Sequence, residues 1–319
     1  IPELNQHDSQ YVGDSLWQFI RDIVNSEAED DIEDITDNYN KEMFLREVFM
    51  DDDEYITLVD LLEHKKNIIL QGSPGVGKTF MAKRLAFSII GKITNNQILS
   101  IQFHQSYSYE DFIEGIRPNE NGEFVVVNGV FKDFVNKAKN DKTNKYYCII
   151  DEINRGNLSK ILGELMKLIE YDKRDKENVI LPYSKEEFTV PDNVYIIGTM
   201  NTADRSLSMV DYALRRRFAF YKVSPAFSKS KFKKYLLEEN NLEENQIMDI
   251  CTKFIKLNML IKDDLGEGFE IGHSYFVDSI DVNNFKKSYD LIIKYEIIPL
   301  IEEYWYDDEN KINEYKELL

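Results

Sequence analysis

The chain has 319 residues, 43% of them hydrophobic and 30% charged, with a formal net charge of −19, which allows one large or two modest domains. Thirteen Asp/Glu against Lys41 and Arg46 fall in residues 26–54, so −11 of that charge sits there; an acidic surface repels phosphate backbones, and broad electrostatic DNA binding by this piece is not expected. No apolar run reaches membrane-spanning length and no signal peptide opens the sequence, so a cytoplasmic protein with no membrane partner is expected.

Ile1 in place of Met reads as the start of a trimmed fragment. Cys148 and Cys251 form no C-x-x-C pair and the four histidines have no zinc spacing. Cys148, inside an apolar run, is expected to be buried and inert.

In chain order, Leu16, Trp17, Phe19, Ile20 and Ile23 have the spacing of a short amphipathic helix. The acidic stretch follows to Glu54, a solvated face or tether with Met43, Phe44, Leu45, Val48 and Phe49 as anchor points. Thr57 is placed to cap a helix, TLVDLLEHKK, that runs into a strand at Asn67. From 67 to about 222 apolar strands alternate with helical patterns, which predicts an α/β fold with a mostly parallel sheet and helices on both faces. Within it Ile98–Phe103 reads as a strand, and Tyr107, Tyr109 and Phe112 as packing or base-stacking aromatics. GEFVVVNGVF reads as a hairpin turning at Asn128–Gly129. A helix over 132–140 and strands at Tyr146–Ile150 and Val194–Met200 complete the block. After Pro225 the patterns are mainly helical, broken by LGEGFEIGHSYF, and predict a separate helical subdomain. The expected division is therefore 1–54, 55–225 and 226–319.

The stretch Asn67–Thr79, NIILQGSPGVGKT, fits G-x-x-x-x-G-K-[ST] in a strand–loop–helix setting. Glycines at 72, 75 and 77 let backbone N–H groups approach phosphate oxygens closely, and the following helix turns its positive end to the same place. Gly72, Ser73, Pro74, Gly75, Val76, Gly77, Lys78, Thr79 and Phe80 are the candidate nucleotide-binding residues. Lys78 can reach the β- and γ-phosphates, and the Thr79 hydroxyl can ligate Mg²⁺.

Such a loop requires further parts. YYCIIDE ends a buried strand in two acids: Asp151 as the second metal residue, Glu152 as the general base for an attacking water. Asn201, at the tip of VYIIGTM, can orient that water. Arg215, Arg216 and Arg217 point in different directions from one helix end, so they cannot all serve one site. An arginine delivered across a subunit contact is worth roughly 10³–10⁵ in rate.

Together GSPGVGKT, IIDEINRGNLSK, MNTADRSLSMVDYALRRRF and QFHQSYSYEDFIEG resemble the AAA+ module of the McrB family, GTP-dependent motors of modification-dependent restriction systems. The likeness is dense over about 55–225. It implies a P-loop NTPase (AAA+) fold with a C-terminal α-helical lid. Asn154 would help place the catalytic water, Asn201 and Asp204 would form the sensor region, and Arg205, Arg215 and Arg216 would act at or across a subunit interface. Which arginine is the finger stays open. It further implies Mg²⁺ as cofactor, GTP as substrate, a homo-hexameric ring and a McrC-like nuclease partner, with DNA met through the complex or through a domain outside this piece. ATP remains the alternative substrate, in a MoxR-like remodelling chaperone, and a non-hydrolysing scaffold is a third reading. No methylated-DNA reader, nuclease signature, lid arginine sensor or Asn-Lys-x-Asp guanine motif is evident; His273 reads as a structural residue or a lid contact.

Overall fold

A computed structural model describes residues 38–204, 212–277 and 280–319 of the chain. The helix expected from Leu16 to Ile23 and the acids at 27–37 lie outside the described residues. Asn38–Leu319 is one compact unit.

Its centre is a five-stranded sheet in the order β2-β5-β8-β1-β9. β1 is Asn67–Gly72, β2 Ile98–Gln102, β5 Tyr146–Asp151, β8 Val194–Asn201 and β9 Ala219–Lys222, every neighbouring pair parallel. The inner strands are continuous apolar runs because both faces are covered, and successive side chains feed two different cores. Ile69, Cys148, Ile150 and Ile196 enter one with Phe112, Phe131 and Ile153. Ile68, Leu70, Tyr147, Ile149 and Ile197 enter the other with Leu58, Leu85 and Phe44. Burial leaves Cys148 with a thiol pushed well above its usual range.

Phe44, Leu45 and Phe49 are buried. The first two anchor the acidic stretch to the sheet, and Phe49 packs into the helical lid. The following helix starts earlier than Thr57: it spans Asp52–Lys65, with Asp51 and Glu54 forming a capping box. Thr57 lies inside it, its hydroxyl donating back to the Asp53 carbonyl. A second correction concerns the hairpin. β3 (Glu114–Pro118) pairs antiparallel with β4 (Phe124–Asn128), so the turn falls at 119–123. There the Asn119 side-chain oxygen accepts the N–H groups of Asn121 and Glu123, and Gly122 takes φ +79°. Gly129 instead starts the helix Val130–Asn140; a Cβ there would lie 2.3 Å from the Phe112 carbonyl carbon, so close packing, not turn geometry, calls for glycine. Phe112 is fully buried, with Tyr107 and Tyr109 packed on the same core. That makes all three packing residues. A second small ribbon joins β6 (Val179–Ile180) to β7 (Glu187–Phe188).

After β9 the chain forms a helical lid from helices Ser230–Glu238, Glu244–Leu265, Phe285–Ile292, Ile298–Tyr304 and Glu309–Glu317. Phe227, Phe232, Phe254, Phe276 and Trp305 make its core. One wider π-helical turn, Ile293–Ile297, precedes Pro299, whose ring nitrogen cannot join the helical ladder. No helix among the described residues is long and apolar enough to cross a membrane.

Candidate nucleotide-binding site

Parallel register gathers the site. Gly72 of β1 stands beside Asn201 of β8, and Asp151 of β5 beside Gln102 of β2, so the carboxyl ends of the strands share one edge. Ligands of open α/β sheets bind at that edge.

The phosphate loop leaves β1 at Gly72 and ends in the helix Lys78–Ile90. Gly75 and Gly77 take φ of +73° and +74°, the left-handed region that glycine enters without penalty. A Cβ on Gly72 would sit 2.4 Å from the Val223 carbonyl oxygen. Val76 is buried, and the Ser73 hydroxyl is buried without a partner among the described residues. Lys78 Nζ donates to the Gly72 and Ser73 carbonyls at 3.0 and 2.8 Å. Burial holds its ammonium below the usual lysine range, opposed by the carboxylates of Glu152, Asp151 and Asp204. Phe80 is exposed at the first helical turn, under the Arg84 guanidinium.

Asp151 is drawn into this loop from both sides. Its Oδ1 accepts the Thr79 hydroxyl at 2.7 Å, and it also accepts the Thr199 hydroxyl from β8. Thr79 and Asp151 are thus adjacent, one hydroxyl and one carboxylate, which suits a hard cation that takes its remaining ligands from phosphate and water. No cluster of three or more His, Cys, Asp or Glu fit to hold a metal occurs among the described residues.

Glu152 has φ +50° and ψ +46°, costly for a non-glycine residue and characteristic of functional sites. Its N–H donates to Thr199 Oγ1 (3.3 Å), while Arg155 pairs with its carboxylate at 3.2 Å and with Asp204 at 3.2 Å. Those two acids, Glu152 first, raise the Arg155 guanidinium above its usual range. Asn154 is buried, its Oδ1 unpartnered among the described residues. Asn201 Oδ1 accepts the Ala203 N–H (3.2 Å), and the Thr202 N–H donates to the Gly72 carbonyl (3.1 Å).

The structure therefore brings residues 72–80, Asp151, Glu152, Asn154, Asn201 and Asp204 to one sheet edge. Arg205 lies outside the described residues. Arg215 and Arg216 are not at this edge. They stand exposed at the end of the helix Tyr212–Arg217, whose Arg217 carbonyl accepts the Asn67 side chain (3.0 Å). That is the foot of β1, a strand length of about 17 Å from the phosphate loop. Arg217 itself pairs with Glu170 (2.8 Å). Residue reading missed Thr199, whose only signal was a hydroxyl near the tip of an apolar strand, and Arg155, which sits directly after the expected Asn154.

A glycine-lined phosphate loop after β1, an acid pair at the end of β5 with β8 between the two strands, and a helical lid define an AAA-type nucleotide-binding module. The family "AAA domain (dynein-related subfamily)" matches residues 67–218, and "McrB, alpha-helical lid domain" matches residues 249–313. The chain thus carries an AAA domain followed by a helical lid of the McrB type. It is 47% identical over 285 residues, 86% of this chain and 62% of the relative, to the "Type IV methyl-directed restriction enzyme EcoKMcrB subunit" of Escherichia coli K12. It is 26% identical over 194 residues, 49% of this chain and 56% of the relative, to the "Type II restriction enzyme BsuMI component YdiS" of Bacillus subtilis 168. The chain thus spans about three fifths of the length of each.

Proposed function

We propose that this chain is a nucleoside triphosphatase of a restriction system, hydrolysing GTP by direct attack of water on the γ-phosphate. The observation that carries the reading is the Thr79–Asp151–Thr199 cluster beside Lys78, which joins the phosphate loop to the strand that bears Glu152. Thr79 and Asp151 would hold Mg²⁺, which supplies charge neutralisation on the phosphate oxygens. Lys78 exchanges the Gly72 and Ser73 carbonyls for phosphate oxygens, a stronger, charge-assisted pairing. Glu152 takes the proton of the attacking water, and Asn154 and Asn201 orient that water. No covalent enzyme intermediate forms.

Arg215 and Arg216, exposed a strand length from the chain's own loop, fit a neighbouring copy's γ-phosphate better than their own, which favours a ring, a hexamer in the McrB pattern. Residues 55–225 and 226–319 act in it as motor and lid. The relatives' names point to a nuclease-bearing restriction partner, McrC-like, through which DNA is met. The test is Glu152→Gln in the full chain with its partner. Turnover falls at least about 10²-fold, the scale of general-base catalysis, while Mg²⁺·GTP still raises the melting temperature. Unchanged turnover removes Glu152 from the reaction. Stabilisation by ATP but not GTP replaces the substrate.

A further inference from the structure

The lid meets the phosphate loop through main chain. The Gly272 N–H donates to the Pro74 carbonyl (3.0 Å) and the Ser274 N–H to the Gly75 carbonyl (2.8 Å). The approach is close enough that a Cβ on Gly272 would lie 1.9 Å from the Gly75 carbonyl carbon. From the other side, a Cβ on Gly75 would lie 2.7 Å from Tyr275 Cε2.

These two bonds have a consequence for the loop's donors. A trans peptide is planar, with its carbonyl and its N–H on opposite sides. Holding the Pro74 and Gly75 carbonyls towards the lid therefore turns the Gly75 and Val76 N–H groups away from it, the orientation an anion-binding loop needs.

The segment is held firmly at its other contacts. Asn258, buried on the helix Glu244–Leu265, donates Nδ2 to the Ile271 carbonyl (2.9 Å) and accepts the Ile271 N–H (2.7 Å). His273 Nδ1 accepts the Ala226 N–H (3.1 Å) where the sheet passes into the lid. The Gly268 carbonyl accepts the hydroxyl of Thr202, next to Asn201 (3.1 Å). One strap, Gly268–Tyr275, thus touches the phosphate loop and the tip of β8 and is bolted to the lid's longest helix.

We propose that Gly272 and Asn258 are positioning residues for the phosphate loop: the strap orients the Pro74 and Gly75 peptides, and it carries the change that a triphosphate makes there into the helix Glu244–Leu265. The proposal rests on the nucleotide-binding reading above.

The test is hydrogen–deuterium exchange on the full chain with Mg²⁺ and a non-hydrolysable GTP analogue, repeated with the ATP analogue. Protection is expected over 72–79, over 268–276 and around Asn258 together. Gly272→Ala, checked for native circular dichroism, should bind the analogue about tenfold more weakly, the scale of one or two lost hydrogen bonds, and lose the lid protection. Protection confined to 72–79 in the unmutated chain overturns the coupling even where Gly272→Ala fails to fold, and so does unchanged affinity in a folded Gly272→Ala. Absence of protection at 72–79 with either nucleotide rejects the nucleotide site itself, and the coupling with it.

Discussion

Lowering the pH should loosen the lid through His273. Its imidazole is 7% exposed, set between the rings of Phe49 and Phe232 at 5.3 and 5.4 Å. Nδ1 accepts the Ala226 N–H, so protonation there destroys a hydrogen bond as well as burying a charge. Of the charged residues lining the same cavity, Glu54 and Lys229 pair with each other at 2.9 Å and Lys222 pairs with Glu267. Burial holds the pKa of His273 down to about 4 from an ordinary 6.5. Between those values the unfolded chain binds more protons than the folded one, so stability rises with pH across that window. The contribution is complete above about pH 6.5 and lost as the pH falls towards 4. At about 1.4 kcal/mol per unit, the gap is worth at most about 3 kcal/mol. Urea titrations from pH 7.5 to 4.5 on the unmutated chain and on His273→Gln isolate it, because carboxylate titration is common to both and cancels. Gln stays neutral and can still accept from Ala226, so its curve should be shallower by about 2–3 kcal/mol. Curves parallel to within about 0.5 kcal/mol would refute the reasoning.

Arg174 is buried, and among the described residues no carboxylate is bonded to it. It donates to Asn67 Oδ1 (2.7 Å) and to the Val194 and Ile169 carbonyls (2.9 and 3.1 Å), and burial lowers its pKa to about 10. Arg174→Leu should cost about 3–5 kcal/mol in urea unfolding by orphaning those acceptors; a loss under about 1 kcal/mol would mean that water reaches them. Lys132 bridges buried Glu114 (2.9 Å) and Glu186 (2.8 Å). Lys132→Met strands the Glu114 charge and should cost about 3 kcal/mol, part of it recovered by adding Glu114→Gln; no recovery in the double variant would show that lost packing, not charge, is the cause.

Local chemistry made much of the site legible. The phosphate loop is a contiguous backbone conformation written in glycines, and Asp151 and Glu152 end a strand whose apolar run identifies it. Where local signals compete, position alone misleads. Four consecutive acids, Asp51 to Glu54, lie just upstream of Thr57, and the capping box of Asp51 and Glu54 captures the helix start. Asn128–Gly129 has the composition of a tight turn, yet Gly129 is there because the Phe112 backbone leaves no room for a side chain.

The loop, the strands and the acid pair act over a few residues each, and the order of residues is enough to specify them. Which of these parts meet is settled by folding. Parallel register set Thr199 against Asp151, and the parallel pairing of β9 with β1 put Arg215 and Arg216, just ahead of β9, at the foot of β1. Chain reversal through the lid laid Gly272 on Gly75. The physical reason is the same in each case: such contacts depend on strand order and close packing between distant segments, and no local propensity encodes them.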